Sequence, residues 1–256
     1  MSTLGFQMWE PFRQNMMAEH RFYVEQARKR LLSQFDNLEG EADKAADEYL
    51  ERGSVNFNPD AHDPSDFYEA AYDKGIEFYQ LLSDMRENTR LSVVAGMYHQ
   101  WDKKLREWIA QEVRHWHHGD NANRSIWKAE FPAIADFLVA IGFDIRRLAC
   151  YEQLNAMRLV VNVFKHGDGP SFDELKAIHP EFLLNPMGGD EQLLPLGFLE
   201  YTDLKVSDVH FDQFSDAILK FWQAIPKEIY IEEELDFPGW FEKAVLKDRK
   251  TDDPNS

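Results

Sequence analysis

Four residues between Tyr151 and Pro170 have the types and the spacing to do chemistry together. In YEQLNAMRLVVNVFKHGDGP, Asn155, Arg158, Asn162 and His166 fall within roughly 80° of one another on a helix that turns about 100° per residue. Leu154, Met157, Val160, Val161 and Phe164 take the opposite side as a core-facing stripe. Gly167 and Gly169 supply the φ > 0 positions a helix end wants, and Pro170 prevents continuation. His166 therefore belongs to the last turn beside Lys165, where the negative end of the helix dipole favours a protonated imidazole. A guanidinium, two amides and an imidazole on one face suit phosphate chemistry.

The chain must supply a bundle to hold that helix. It has 256 residues, 44% of them hydrophobic, enough for an ordinary core in one large domain or two small ones. Its net charge of −18 argues against a broad electrostatic grip on long nucleic acid. Three local basic patches, Arg28 to Arg30, Lys103 to Arg106, and Arg146 with Arg147, leave room for a small anion or a short RNA in a cleft. Cys150 is the only cysteine and reads as a small core residue, which fits a reducing cytosol. No membrane span or secretory signal is expected, so the predicted location is cytoplasmic. His115, His117 and His118 sit at adjacent and alternate helix positions that point apart, and no HExxH pair or glycine-rich phosphate loop occurs. Neither a metal nor a cofactor is expected.

Periodicity predicts the supporting elements. Residues 12 to 52 read as one long helix through Leu31, Phe35, Leu38, Ala42, Ala45 and Tyr49, weighted toward an intramolecular bundle over a free coiled coil. Gly53 to Pro64 is a loop. A helical pattern follows from Ser65 to Trp116, with a break expected near Gly75 or Asn88. Ser125 to Ile141 reads as a third helix, with Pro132 near its start or at a kink. After the focal helix, Ser171 and Glu174 suggest a capping box. From His179 to Ser207 the pattern is irregular, with short strands expected around Leu193 to Leu199 and Leu204 to Val206. A last helix runs from Asp208 to Ala224, and the final dozen residues are expected to lack structure.

From about Arg90 to Pro170, the Arg-, Leu- and Trp-rich helix, the helix closing at GlyPheAsp and the helix ending MetArgLeuValValAsnValPheLysHisGlyAspGly resemble the HEPN domain superfamily. That resemblance implies an all-α helical bundle that often dimerises. Many members are metal-independent ribonucleases of bacterial toxin, defence and RNA-processing systems. Their motif places Arg, four to six residues and His on one helix, commonly with Asn directly after the Arg. His166 matches the His and Asn162 the Asn. Val161 stands where the Arg is expected, and Arg158, with seven residues between it and His166, is the nearest upstream arginine.

The expected organisation is an N-terminal helical arm over 1–60, a HEPN-like domain over 61–226 and a C-terminal extension over 227–256. Three functional readings remain. One is a dimerising or partner-binding HEPN-like module of a defence or toxin–antitoxin system, which the resemblance implies is a homodimer. Another is an endoribonuclease using Arg158, Asn162 and His166, with Asn155, Lys165 and Arg147 as auxiliary contacts to RNA or a nucleotide. The third is a solvated helix face with His166 as a C-terminal cap.

Overall fold

The computed structural model describes residues 3–55, 58, 63–183, 199–231 and 236–252. The fold is all-α, with one small antiparallel strand pair. In chain order come β1 (Thr3–Gln7), α1 (Glu10–Arg30), α2 (Leu38–Ser54), α3 (Pro64–Val113), α4 (Asp120–Lys128), α5 (Phe131–Ala140), α6 (Tyr151–His166), α7 (Pro170–Ile178), α8 (Asp208–Ala224), β2 (Glu228–Ile231) and α9 (Gly239–Asp252). No helix among the described residues is long and apolar enough to cross a membrane. The chain forms two compact units, Met1–Tyr23 with Val94–Ser256, and Val24–Val93. This division by packing differs from the arm, domain and extension expected with boundaries at 60/61 and 226/227.

The larger unit is built around α6, whose Leu154, Ala156, Met157, Leu159, Val160, Val161 and Val163 are all buried. Trp101 lies edge-on to Phe221, with ring centres 5.2 Å apart, and 5.4 Å from Phe131. Phe6 of β1 packs against Trp108 and Phe137. β1 pairs with β2, Thr3 opposite Ile231 and Gln7 opposite Glu228. Its outer edge is tied to α3: the Trp108 indole donates to the Gln7 carbonyl at 3.0 Å, and Gln7 N–H donates to Glu112 at 2.7 Å.

Charged side chains from distant segments close helix ends in this unit. Arg13 donates to the carbonyls of Trp222, Gln223 and Ile225 at the end of α8. Arg106 donates to the carbonyls of Ile126 and Ala129 at the end of α4, while Asp102 grips it through two further bonds at 2.7 and 3.0 Å. At the other end of α4, Gly119 offers no side-chain cap. Asp248 of α9 serves there instead, accepting from Asn121 N–H and Nδ2, Ala122 N–H and His117 Nε2 at 2.7 to 3.0 Å. A carboxylate over the first turn satisfies orphan donors and complements the helix dipole.

The smaller unit is a helical hairpin. Tyr49 meets Phe67 at 5.9 Å, and Gly75 faces Ala42 and Ala46, so α2 and the start of α3 run antiparallel. A Cβ at Gly75 would stand 3.3 Å from the Ala42 carbonyl oxygen, so glycine sets how closely the two helices approach.

Several sequence expectations need correction. The helix expected over 12–52 is interrupted: α1 ends at Arg30, a 3₁₀ turn covers Leu32–Phe35, and α2 begins after Asn37. Asp36 and Asn37 compete with helical hydrogen bonding and favour a boundary. Conversely, α3 runs through both Gly75 and Asn88. Its mid-helix polar residues bond back one turn, Asn88 to the Asp84 carbonyl, Thr89 to Met85 and Ser92 to Asn88. The helix expected over Ser125–Ile141 is two helices, because Pro132 has no N–H to give the Lys128 carbonyl but is tolerated in the first turn of α5.

Near the C-terminus, α9 extends through residues expected to lack structure. Phe241 is fully buried, 4.9 Å from Phe137, and Asp248 is nearly so. The strand expected around Leu193 lies mostly outside the described residues. Leu204 forms a single antiparallel bridge with Leu183.

Burial alone would raise the Asp248 carboxyl, but the bonds from His117, Ala122 and Asn121 outweigh it and hold its pKa at about 2, below the ordinary 3.8. A depressed folded-state pKa means stability present above the ordinary value and lost as pH falls through the folded one. Asp248→Ala is expected to cost about 2 kcal/mol near neutral pH, since it leaves buried donors unpaired. Urea titrations should show the gap from wild type shrinking as the pH falls from about 4 toward 2. A gap that stays constant over that range would contradict the ionic cap.

Candidate functional site

α6 begins after a 3₁₀ turn at Ile145–Arg147 and ends on Gly167, whose φ of 70° turns the chain toward α7. Seven of its sixteen side chains are buried on one side, and the polar residues share a strip on the other. Along that strip Arg158 donates from Nε to Asn155 Oδ1 at 2.9 Å and from Nη2 to both oxygens of Glu174, at 3.0 and 3.1 Å. Asn162 Nδ2 donates to Ser171 Oγ at 3.3 Å. The expected face therefore exists, and it is engaged with α7.

This contact corrects the capping box expected at Ser171. Gly169 is the N-cap and Pro170 the first helical residue, which puts Ser171 inside the first turn and frees Glu174 to reach Arg158. Arg158 has only 12% of its side chain exposed. A phosphate would have to displace Glu174 to reach it.

The other expected residues are spread along the helix. Arg158 and His166 are eight residues apart, about 12 Å along the axis at 1.5 Å per residue. His166 and Lys165 are exposed, and His166 makes no hydrogen bond among the described residues. Arg147 precedes the opposite end of α6, a helix about 24 Å long by the same rise. It pairs with Asp144 at 2.9 Å. Val161, where the resemblance would place arginine, is 1% exposed and faces the core.

Residues without a sequence signal complete the surroundings of Arg158. Tyr98 of α3 is buried, and its hydroxyl pKa is raised by burial and by the charge of Asp102, with Arg158 and Arg106 acting in the opposite sense. Burial likewise raises the Cys150 thiol. Two other histidines have structural placements: His117 supports Asp248, and His20 is buried against Ser215 at 2.9 Å. Burial lowers the His20 pKa to about 4.

The hairpin Val24–Val93 carries a different kind of surface. On α3, Tyr68, Tyr72, Ile76 and Tyr79 recur at spacings of four, four and three, and are 65%, 69%, 40% and 38% exposed. Their exposed area is on the order of 400 Å², the size at which an apolar patch marks an interaction site. On the opposite flank, a groove of about 600 Å³ runs between α2 and α3, lined by Lys44, Arg52 and Lys74 with Glu41, Glu48 and Glu77.

Comparisons with protein-family models, with curated proteins and with solved structures found no match.

If Arg158 and Glu174 form a structural tie between α6 and α7, a double-mutant cycle should report it. Arg158→Ala and Glu174→Ala are each expected to destabilise the protein, with a coupling of about 0.5 to 1 kcal/mol for this partly exposed pair. Strictly additive losses in chemical denaturation would show that the pair contributes nothing.

Proposed function

We propose that the protein is a non-catalytic helical module, of the HEPN-like kind its sequence resembles, that works by binding another protein. The observation that carries this reading is the row of exposed tyrosines on the hairpin: Tyr68, Tyr72 and Tyr79, with Ile76 among them. Large aromatic side chains left in water along one helix face cost hydrophobic free energy that a partner recovers. The α6 face supports the same reading. Its guanidinium is matched by the Glu174 carboxylate, its one exposed imidazole is about a dozen ångströms away, and Val161 leaves the helix without the arginine a compact phosphate site would use. The net charge of −18 also opposes the approach of RNA.

The test is incubation of the full chain with total cellular RNA and with tRNA in excess EDTA, beside Arg158→Ala and His166→Ala. The RNA is expected to stay intact in every lane. Cleavage by wild type that both substitutions abolish would overturn the non-catalytic reading and establish a metal-independent ribonuclease.

A further inference from the structure

The two flanks of the hairpin differ in charge, and the difference names a partner. Ala71 and Gly75 mark the side of α3 that packs on α2. At 100° per residue, Tyr68, Tyr72, Ile76 and Tyr79 lie within roughly 80° on one flank of that side, with Glu69 and Asp73 just beyond them. Because the helices run antiparallel, the matching flank of α2 carries Glu39, Asp43 and Asp47, together with Leu50, which lines a small pocket with Phe67 and Tyr68. All five acids are exposed, and none forms an ion pair among the described residues. Lys44, Arg52 and Lys74 are on the other flank, where Lys74 pairs with Glu77 and both Lys44 and Arg52 lie near Glu48. One flank is thus charge-balanced. The other combines an aromatic floor with uncompensated acid on both rims.

From this arrangement we infer that the tyrosine flank is a docking groove for a basic amphipathic helix of a protein partner; the inference rests on the partner-binding reading above. An apolar stripe at spacings of three and four would lie on Tyr68, Tyr72, Ile76 and Tyr79, and lysines or arginines on both sides of it would meet Asp43, Asp47, Glu69 and Asp73. Area and charge disfavour a second copy of the chain. The patch offers on the order of 400 Å², half of the roughly 800 Å² each partner contributes to a standard stable interface. A second copy would also bring acid against acid. Nucleic acid could stack on the tyrosines but would be repelled by the rims.

The experiment uses the full chain and three synthetic 18-residue peptides: an amphipathic Lys/Leu helix, its Glu/Leu counterpart, and a scrambled Lys/Leu control. Calorimetry is expected to show binding of the amphipathic Lys/Leu peptide alone, weakening with salt. Tyr68→Ser with Tyr72→Ser should reduce affinity at least about tenfold while leaving net charge unchanged. Asp43→Asn, Asp47→Asn, Glu69→Gln and Asp73→Asn together should do the same and flatten the salt dependence. Glu41→Gln, Glu48→Gln and Glu77→Gln, on the opposite flank, should leave affinity within about twofold after allowance for three fewer charges.

Equal binding of the scrambled peptide, or binding untouched by the tyrosine pair, would overturn the docking groove and reduce the effect to attraction by an acidic protein. Self-association by light scattering that the tyrosine pair abolishes, without peptide binding, would overturn the basic helix and leave the partner-binding reading standing with a second copy as partner. Neither peptide binding nor self-association responding to the tyrosines would overturn both.

Discussion

A nine-residue helix, α4, ties three segments of the larger unit together, and neither of its ends can rely on its own sequence. α4 starts from a glycine that offers no cap and finishes in extended backbone before a proline, yet Ala122 and Ile126 along it are fully buried. Buried helix ends leave backbone groups that water cannot reach, and each must be paired. Asp248 answers the N-terminal donors and Arg106 the C-terminal carbonyls. One of these residues comes from the last helix of the chain and the other from α3, so pairing the ends of α4 also fixes α9 and α3 against it. Arg13 applies the same logic to the end of α8. Three charged side chains that surface arguments would assign to solvent are structural ties between segments as many as 212 residues apart.

The same economy explains the α6 face. In a chain this acidic, a partly buried guanidinium finds a carboxylate readily, and Glu174 meets Arg158 at two points. One guanidinium nitrogen, Nη2, is shared between the two carboxylate oxygens while Nε is held by Asn155, and the carboxylate offsets the charge that a phosphate would seek. The strip is polar because α6 must bond to α7 there. Polarity on a bundle helix marks where it touches another polar surface as often as where it meets a ligand.

How much of this was legible depended on how local its cause was. The boundaries of α6 and α8 follow from signals within a few residues: GlyAspGlyPro after His166, Ser207 before Asp208 and Pro226 beyond Ala224. The common face of Asn155, Arg158 and Asn162 follows from helical period alone. The partner of Arg158 does not, because Glu174 lies on the next helix and its sequence context imitates a capping box. The continuity of α3 was hidden because Gly75 is explained by the approach of α2. β1, β2 and the order of α9 were hidden for a related reason: their pairing is non-local, and short segments such as EIYI carry no periodicity that distinguishes them.

The strand pair also dictates when the protein can be finished. β1 has no partner until residue 231 has been synthesised, and the cap on α4 waits for residue 248. The larger unit is therefore a high-contact-order structure that closes only once residue 248 has been made. Val24–Val93 depends on a neighbour one loop away and can form while synthesis continues. The tyrosine flank, which lies within that unit, can therefore form before β2 and α9 have been made.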